Sequence, residues 1–285
     1  GYIIPKNDEF FGEYTPDYND RLNFISGFTG SYGFALVLKN KNYLFVDGRY
    51  TLQAKNQSGK LFKIITIPNK MPTDILKGKK LSIGFDPNLF TDKSIFIFFR
   101  KNKIKFKPIF QNLIDEIWER KIIKNKSKFY LLPSDSTGEK YQLKINKIAK
   151  YLKKKRSDCL FITASENNAW LLNIRGRDTK YSPIPHSYIL IEKNKNIIFF
   201  IDLKKVSSAF RESFKQIKFL DIKDCSKTLL RIENKKFIID SNTCSFFFKT
   251  LIDKKNIILD LQDPIYFLKA IKGKQEIENI KKAHI

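Results

Sequence analysis

The sequence predicts an α/β fold built as two domains in series, each a mixed β-sheet flanked by helices. The first observation behind this prediction is a repeated hairpin. Residues 34–47 read FALVLKNKNYLFVD, and residues 188–202 read YILIEKNKNIIFFID. Each segment is an apolar run, a Lys-Asn-Lys-Asn turn and a second apolar run that ends in Asp, which is the pattern of a β-hairpin.

The second observation is that the match continues on both sides of the hairpins. Residues 79–86 (KKLSIGFD) resemble residues 235–240 (KKFIID), because a basic pair leads a short apolar strand to an Asp in both. Upstream, residues 24–30 (FISGFTG) align with residues 170–176 (WLLNIRG). The period is too long for a solenoid, so the shared order predicts two copies of one domain.

Strands and helices alternate along the first domain, which we expect to occupy residues 1–122. The Asp47-Gly48 pair ends the second hairpin strand, and Thr91 is the expected N-cap of a later helix. The predicted strands are residues 2–4, 35–38, 43–46, 62–67 and 81–85, and the predicted helices are residues 49–57, 91–99 and 113–120.

The second domain is expected at residues 123–262, and residues 121–137, which mix charge, Pro and Ser, are predicted to form the linker and the entry to it. Apolar residues at three- and four-residue spacing predict a helix over 138–156, and Ser165 is a candidate N-cap for the next one. The other predicted strands are residues 160–163, the hairpin 188–202, 237–240 and 257–259. The other helices are residues 165–172, 207–216 and 243–252.

The pattern changes at Asp263. Residues 265–285 are predicted to form one charged helix that belongs to neither repeat. We therefore expect residues 263–285 to open a third domain.

Composition narrows the functional classes. A hydrophobic content of 42% with 26 Phe is typical of folded domains, and no apolar run approaches the ~20 residues of a transmembrane helix, so no membrane partner is predicted. The net charge of +25 suggests nucleic acid, but the basic excess is spread over every segment, which disfavours a specific nucleic-acid site. Three Cys without a Cys-x-x-Cys pair predict buried thiols in a reducing compartment.

No hydrolytic constellation is visible. The two His, His186 and His284, lie in no ligand spacing, and neither Ser187 nor any other Ser forms a recognisable relay with them. The sequence therefore predicts no catalytic residue and no metal ligand within this chain.

Two short motifs are interpreted as structural. Gly27, Gly30 and Gly33 differ from the dinucleotide fingerprint because a strand follows them, so they predict positive φ or close chain approach in a compact loop. Asp47, Gly48, Arg49 and Tyr50 end a strand and open a helix. Asp47 can accept hydrogen bonds there and pair with Arg49, which favours a structural role over a catalytic one.

Three motifs in order carry a family resemblance. SGFTGSYGFALVL at 26–38, followed by DGRYTLQA at 47–54, resembles the first N-terminal domain of the aminopeptidase P (Xaa-Pro aminopeptidase) family. WLLNIRGRD at 170–178 is similar to its second domain, and DPIYFLKAIKGKQEIENIKKAHI at 263–285 resembles the entry into its catalytic domain, which has the pita-bread fold. The resemblance implies two tandem creatinase N-terminal-like domains, followed by the start of a truncated catalytic domain.

The resemblance also implies a function. In that family the third domain holds two divalent metal ions, usually manganese, and removes an N-terminal residue that precedes proline. This chain is then expected to be the non-catalytic N-terminal region of a cytoplasmic homodimer, to bind no metal itself and to shape access to the active site. Two alternatives stay open: a non-enzymatic peptide- or protein-binding module on the same scaffold, and a creatinase or prolidase relative.

One loop is a candidate for contact with substrate or with a partner subunit. Aromatic side chains on a glycine-hinged loop suit recognition of a small apolar group such as proline. Two Arg at the matching place of the second domain are candidates to meet a peptide carboxylate or an interdomain acid. The candidate residues are Phe28, Thr29, Ser31, Tyr32, Arg175 and Arg177.

Overall fold

A computed structural model describes residues 1–99, 104–122 and 125–284. These residues form two compact units: 1–122 with 245–247, and 125–244 with 248–284. Each unit contains one six-stranded sheet, so the predicted α/β fold with two mixed sheets is confirmed.

The first unit places its sheet between helices on both faces. The strands are β1 (Tyr2–Pro5), β2 (Phe34–Val37), β3 (Asn42–Val46), β4 (Lys63–Thr66), β5 (Ser82–Phe85) and β6 (Lys105–Pro108). The helices are α1 (Arg21–Ser26), α2 (Thr51–Ser58), α3 (Pro72–Ile75), α4 (Asp92–Phe99) and α5 (Leu113–Ile117). The strand order is β4-β3-β2-β1-β5-β6.

The second unit repeats this arrangement. Its strands are β7 (Tyr130–Leu131), β8 (Cys159–Ile162), β9 (Ile174–Arg175), β10 (Ser187–Glu192), β11 (Ile197–Ile201), β12 (Ile217–Asp221), β13 (Lys236–Ile239) and β14 (Ile257–Asp260). Its helices are α6 (Ser134–Thr137), α7 (Tyr141–Lys154), α8 (Ser165–Leu172), α9 (Ser208–Glu212), α10 (Cys225–Leu230), α11 (Phe246–Asp253), α12 (Pro264–Ala270) and α13 (Lys274–Ala283).

The two sheets have the same topology. The second runs β12-β11-β10-β8-β13-β14, so β8 corresponds to β1 and β13 to β5. The central hairpin is antiparallel in both units, its first strand also pairs antiparallel with β1 or β8, and every other pairing within the two sheets of the described residues is parallel. The prediction of two separate cores with one shared fold is therefore confirmed.

Alternation along the central strands builds two apolar layers in the first unit. Ile3, Leu36 and Phe45 lie in one cluster of buried side chains, whereas Tyr2, Ile4 and Leu44 lie in another. Successive residues of a strand point to opposite faces, and both faces are buried because helices cover both. The short apolar runs of the sequence reflect this double burial.

Helix ends account for two corrections. Ser165 is not an N-cap: Ala164 occupies that position, and the Ser165 hydroxyl donates to the Ser187 carbonyl at 3.3 Å. The single helix expected over 265–285 is two helices, because the chain leaves the helix at Ile271 (φ −89°, ψ 104°) and Gly273 starts α13. Thr91 does cap α4, since its hydroxyl accepts from the Ser94 amide at 3.1 Å.

The helix α12 occupies the place in the second unit that α5 occupies in the first. The side chain of Asn112 caps α5 and also donates to Asp86 at 2.8 Å. The side chain of Asp263 caps α12, and its amide donates to Asp240 at 2.9 Å. The two helices share this capping pattern, although the sequence prediction assigned residues 263–285 to neither repeat.

Among the described residues, no helix combines the length and the apolar character that a membrane crossing requires.

Candidate functional site

The glycine loop, residues 27–33, joins α1 to β2. Gly27 has a φ of +72°, and its amide donates to the Asn23 carbonyl at 2.7 Å, which ends α1 with a left-handed residue. A Cβ on Gly30 would come within 2.9 Å of the Tyr50 ring and closer still to Phe28, and one on Gly33 would lie 2.9 Å from the Phe45 carbonyl. The predicted need for positive φ and close approach is confirmed.

Phe28 points into the unit rather than outwards. Its side chain is fully buried and contacts the Tyr50 ring edge-to-face, with ring centroids 5.8 Å apart. Phe28 is one of the sequence-based candidates for contact with substrate or a partner subunit, and this burial argues against direct contact. Burial of a large apolar ring is favourable because it removes apolar surface from water.

Thr29 and Ser31 are fixed by side chains of the neighbouring helix region. The Thr29 amide donates to Gln57 Oε1 at 3.1 Å, and the Gln53 and Gln57 amides donate to Thr29 Oγ1 at 2.9 and 3.0 Å. Ser31 Oγ and the Tyr50 hydroxyl are hydrogen-bonded at 2.8 Å. These hydrogen bonds fasten the middle of the loop to α2 and to Tyr50.

Tyr32 is the exposed aromatic side chain of the loop, with 46% of its surface accessible. Its pKa is raised from the ordinary value, first by partial burial and then by the Asp47 carboxylate. Tyr32 thus presents a neutral ring and hydroxyl to the solvent at physiological pH.

The Asp47–Tyr50 motif contacts this loop through the Tyr50 side chain. Asp47 accepts the Arg49 amide at 2.9 Å and caps the 3₁₀ turn Gly48–Tyr50, and its carboxylate pairs with the Arg49 guanidinium at 2.7 Å. Hydrogen bonding from Arg49 lowers the Asp47 pKa. The Arg49 side chain is exposed and lies 5.1 Å from the centre of the Tyr50 ring.

The second unit builds the same corner with charged groups. Asp202 caps the 3₁₀ turn Leu203–Lys205, so Lys205 stands where Tyr50 stands in the first unit. Its ammonium pairs with Asp178, which also accepts the His186 amide at 2.8 Å. A Cβ on Gly176 would lie 2.8 Å from the Phe129 ring, as one on Gly30 would meet Phe28.

The two candidate Arg differ in availability. Arg175 is half-buried, and its Nη1 donates to the carbonyls of Ile174 and Ala169 at 2.8 and 3.4 Å. Burial lowers its pKa. Arg177 is exposed. Arg175 and Arg177 lie in the second unit, whereas the glycine loop lies in the first.

Sequence reasoning missed the buried ion pairs at the start of α1. Arg21 is 3% exposed and donates two hydrogen bonds of 2.8 Å to the Asp115 carboxylate, which also pairs with Arg120. Lys6 pairs with Asp20, the N-cap of α1, at 2.5 Å. No local sequence pattern predicts this pairing, because Arg21 and Asp115 come into contact only in the folded chain.

The residues present do not fit a metal pair. Among residues 1–99, 104–122 and 125–284, no group of three or more His, Cys, Asp or Glu side chains could hold a metal ion. The three cysteines are buried free thiols, as predicted. Burial raises the pKa of Cys159 to about 12, so this thiol is protonated at neutral pH.

Comparison with known proteins gives the same two-part division. A family model described as the creatinase/prolidase N-terminal domain matches residues 3–106, and a second model with that description matches residues 120–276. The chain is 30% identical over its whole length to a probable Xaa-Pro aminopeptidase P of Laccaria bicolor, covering 46% of that protein. It is also 30% identical over its whole length to Xaa-Pro aminopeptidase ApepP of Drosophila melanogaster, covering 49%.

A solved structure agrees with these relatives. The crystal structure of X-prolyl aminopeptidase from Caenorhabditis elegans, described as a cytosolic enzyme with a di-nuclear active site, matches 99% of this chain with a TM-score of 0.90 and 26% identity. The match covers 49% of that protein, so the chain spans about half the length of the relatives it matches. The predicted resemblance to the aminopeptidase P family is confirmed, and the chain belongs to the creatinase/prolidase N-terminal domain family.

Proposed function

We propose that this chain is the two-domain, non-catalytic region of a metal-dependent Xaa-Pro aminopeptidase, which removes an N-terminal residue that precedes proline. The observation that carries this proposal is the match to the Caenorhabditis elegans X-prolyl aminopeptidase along both units, with a TM-score of 0.90. The substrates would be peptides with proline at the second position. The non-enzymatic binding module is the alternative outcome of the test below.

We propose that the metal ions of the whole enzyme bind outside the described residues of this chain. The family resemblance implies two divalent ions, which the di-nuclear active site described for the Caenorhabditis elegans enzyme supports, and manganese is the ion we propose. The described residues offer no ligand group for them. We also propose a cytosolic homodimer, a location supported by the description of that relative, with domain boundaries near residues 122 and 262.

Activity assays on two proteins test this function. The product of the complete reading frame and the 285-residue chain are each incubated with Mn²⁺ and a peptide that begins Ala-Pro. We expect chelator-sensitive release of Ala from the first protein only. Peptide binding without turnover by the complete product would replace the proposal with the binding module, and turnover by purified 285-residue chain would contradict the non-catalytic role.

Within this function, we propose that Thr29, Ser31 and Tyr32 face a substrate path or a partner subunit, and that Arg177 is the available cation of the second unit. Support comes from the exposure of Tyr32 and Arg177, and from the hydrogen bond between Ser31 and Tyr50 that holds the glycine loop. Phe28 and Arg175 then act by positioning their neighbours. Phe28 is buried, and the Arg175 guanidinium already donates to backbone carbonyls.

Substitution in the active complete enzyme tests the loop. Tyr32→Ala is expected to raise KM or lower kcat for Xaa-Pro peptides and to leave Tm nearly unchanged, because the side chain is 46% exposed. Leu52→Ala, which removes a 73% exposed side chain of the same unit, is the matched control and should change neither. A large fall in Tm with normal kinetics would assign Tyr32 to packing.

A further inference from the structure

Folding gathers basic residues that are scattered along the chain. In the second unit β8, β11, β12, β13 and β14 all run in one direction, as their pairings with each other and with β10 require. Their first residues therefore lie along one edge of the sheet. The segments that lead into them contain Lys153, Lys154, Lys155, Arg156, Lys193, Lys195, Lys215, Lys235, Lys236, Lys254 and Lys255. We call this surface the basic edge of the second unit.

Hydrogen bonds join most of these segments into one surface. The Lys193 amide donates to the Asp158 carbonyl at 2.9 Å, and the Asp158 amide donates to the Lys236 carbonyl at 2.8 Å. The Asn234 amide donates to the Lys255 carbonyl at 2.9 Å. The turns before β8, β11, β13 and β14 are thus in direct contact, although up to about a hundred residues separate them in sequence.

The basic side chains of this edge outnumber its carboxylates. All of them are exposed except the half-buried Lys236. Four acidic residues lie in or beside these segments, Asp158, Glu192, Glu233 and Asp253, of which Asp158 pairs with Lys193 and Glu233 with Lys255. The acids of the unit collect at the opposite edge, where β11, β12, β13 and β14 lead into or end at Asp202, Asp221, Asp240 and Asp260.

The first unit repeats the segregation. Its strands β1, β3, β4, β5 and β6 also share one direction. The described segments at 38–42, 59–63, 76–82 and 104–105 lead into β3, β4, β5 and β6 and contain no Asp or Glu. They contain Lys39, Lys41, Lys60, Lys63, Lys77, Lys79, Lys80 and Lys105, all of them exposed. This surface is the basic edge of the first unit.

We propose that the two basic edges bind the phosphate backbone of single-stranded nucleic acid without reading its sequence. Concentrated ammonium groups that face few carboxylates suit a polyanion. Lys supplies point charges rather than the bidentate fork of Arg, and neither edge exposes a Trp, Tyr or Phe on which a base could stack. The chemistry therefore fits phosphates and not bases.

A membrane surface fits these edges less well. Peripheral membrane sites combine basic residues with Trp, Phe or Leu that enter the lipid. The basic edge of the second unit exposes one large apolar side chain, Ile257, and the described part of the first exposes two, Leu61 and Leu81, but neither exposes Trp or Phe there. Six strands at a spacing of about 4.8 Å make this edge roughly 24 Å wide, enough to follow several consecutive phosphates of one strand.

The proposal predicts how strongly the binding constant depends on salt. If about five phosphates are neutralised, the slope of log K against log salt for a single strand is about −3.5. Binding should then weaken about 50-fold between about 50 and about 150 mM NaCl. A protein that reads bases or apolar groups would keep more of its affinity.

The test measures fluorescence anisotropy of a labelled, mixed-sequence single-stranded RNA of ~20 nucleotides with the 285-residue chain. Lys153→Glu/Lys235→Glu/Lys254→Glu alters the second edge, and Lys39→Glu/Lys60→Glu/Lys79→Glu alters the first. Each is expected to weaken binding at least about tenfold at low salt and to make the slope shallower. Circular dichroism and Tm verify that each variant folds.

The matched control carries the same change in net charge at exposed positions away from the edges. Lys140 precedes α7 at the end opposite Lys153, and Lys180 and Lys223 lie at the opposite side of the sheet. Lys140→Glu/Lys180→Glu/Lys223→Glu should change affinity less than about threefold. Equal weakening by the control, no RNA binding by the parent chain, or binding to phosphatidylserine vesicles instead of RNA would each overturn the proposal.

Discussion

Asp263 shows how one buried carboxyl can make stability depend on pH. Its side chain is 3% exposed, caps α12 through the Ile265 amide at 2.9 Å and accepts from Asn167 at 2.7 Å. Burial, followed by the nearby Asp240 and Glu166 carboxylates, raises its pKa from 3.8 to about 6. The folded chain therefore holds this proton more tightly than the unfolded chain does.

The sign of the pH effect follows from this shift. Ionisation of Asp263 begins to cost stability near pH 4, the unfolded value, and the cost is complete above about pH 6. Two pKa units correspond to about 2–3 kcal/mol. Relative to the parent chain, Asp263→Asn should therefore become more stable by about that amount when the pH is raised from about 4 to about 7.5.

Urea unfolding at the two pH values measures this difference. Asn keeps an oxygen for the Ile265 amide, and the first unit already uses Asn112 at the equivalent cap. Asp135→Asn, at an exposed carboxyl, is the control and should show no such change. A constant stability difference between parent and Asp263→Asn across this range would contradict the raised pKa.

The elements of this fold were predictable where apolar residues run uninterrupted. Both hairpins and the strands before Asp86 and Asp240 were found because they are central and buried on two faces. The edge strand β6 was missed, since its residues KFKP are mostly exposed and carry no apolar run. The short helix α1 was also missed, because its stability comes from the Asp20 cap and from the buried Arg21.

The candidate site was predictable in outline only. Glycine spacing located the loop correctly, but the sequence could not tell which aromatic residue turns inwards. Phe28 is buried and Tyr32 exposed because Gly30 leaves room for Phe28 to meet Tyr50. The burial of Phe28 depends on its contact with Tyr50, and both β2 and β3 separate these two residues in sequence.

Gly30 gives the loop a direct test. A Cβ at this position would meet the Phe28 and Tyr50 rings, so Gly30→Ala should lower the free energy of unfolding by about 1–3 kcal/mol through overpacking. Gly48→Ala is the matched control in the adjoining motif, because nothing lies within 4 Å of its Cβ position. Urea unfolding of both variants would contradict the packing account if they differed by less than about 0.5 kcal/mol.

At the scale of the whole molecule, duplication explains features that linear sequence conceals. The basic excess is spread along the chain, which argued against a nucleic-acid surface, yet each unit places Lys before its parallel strands and Asp after several of them. Several of these Asp cap the turns that follow, as Asp47 and Asp202 do. Charge segregation is therefore a consequence of strand direction, which a one-dimensional count cannot represent.

Duplication also predicts that each core protects its own sheet. Ile83 of β5 and Ile238 of β13 are fully buried, in the separate apolar clusters of the first and second units. Truncation to Ala should destabilise the affected unit by about 2–5 kcal/mol. Because contacts within a cluster transmit this loss and the other cluster keeps its contacts, hydrogen exchange should rise in the altered sheet and stay unchanged in the other.

Mass spectrometry of peptides from β2–β3 and from β10–β11 would read both sheets in one experiment, with Leu52→Ala as the surface control. Equal loss of protection in both sheets after Ile83→Ala would show that the repeats unfold as one cooperative unit, despite their separate cores.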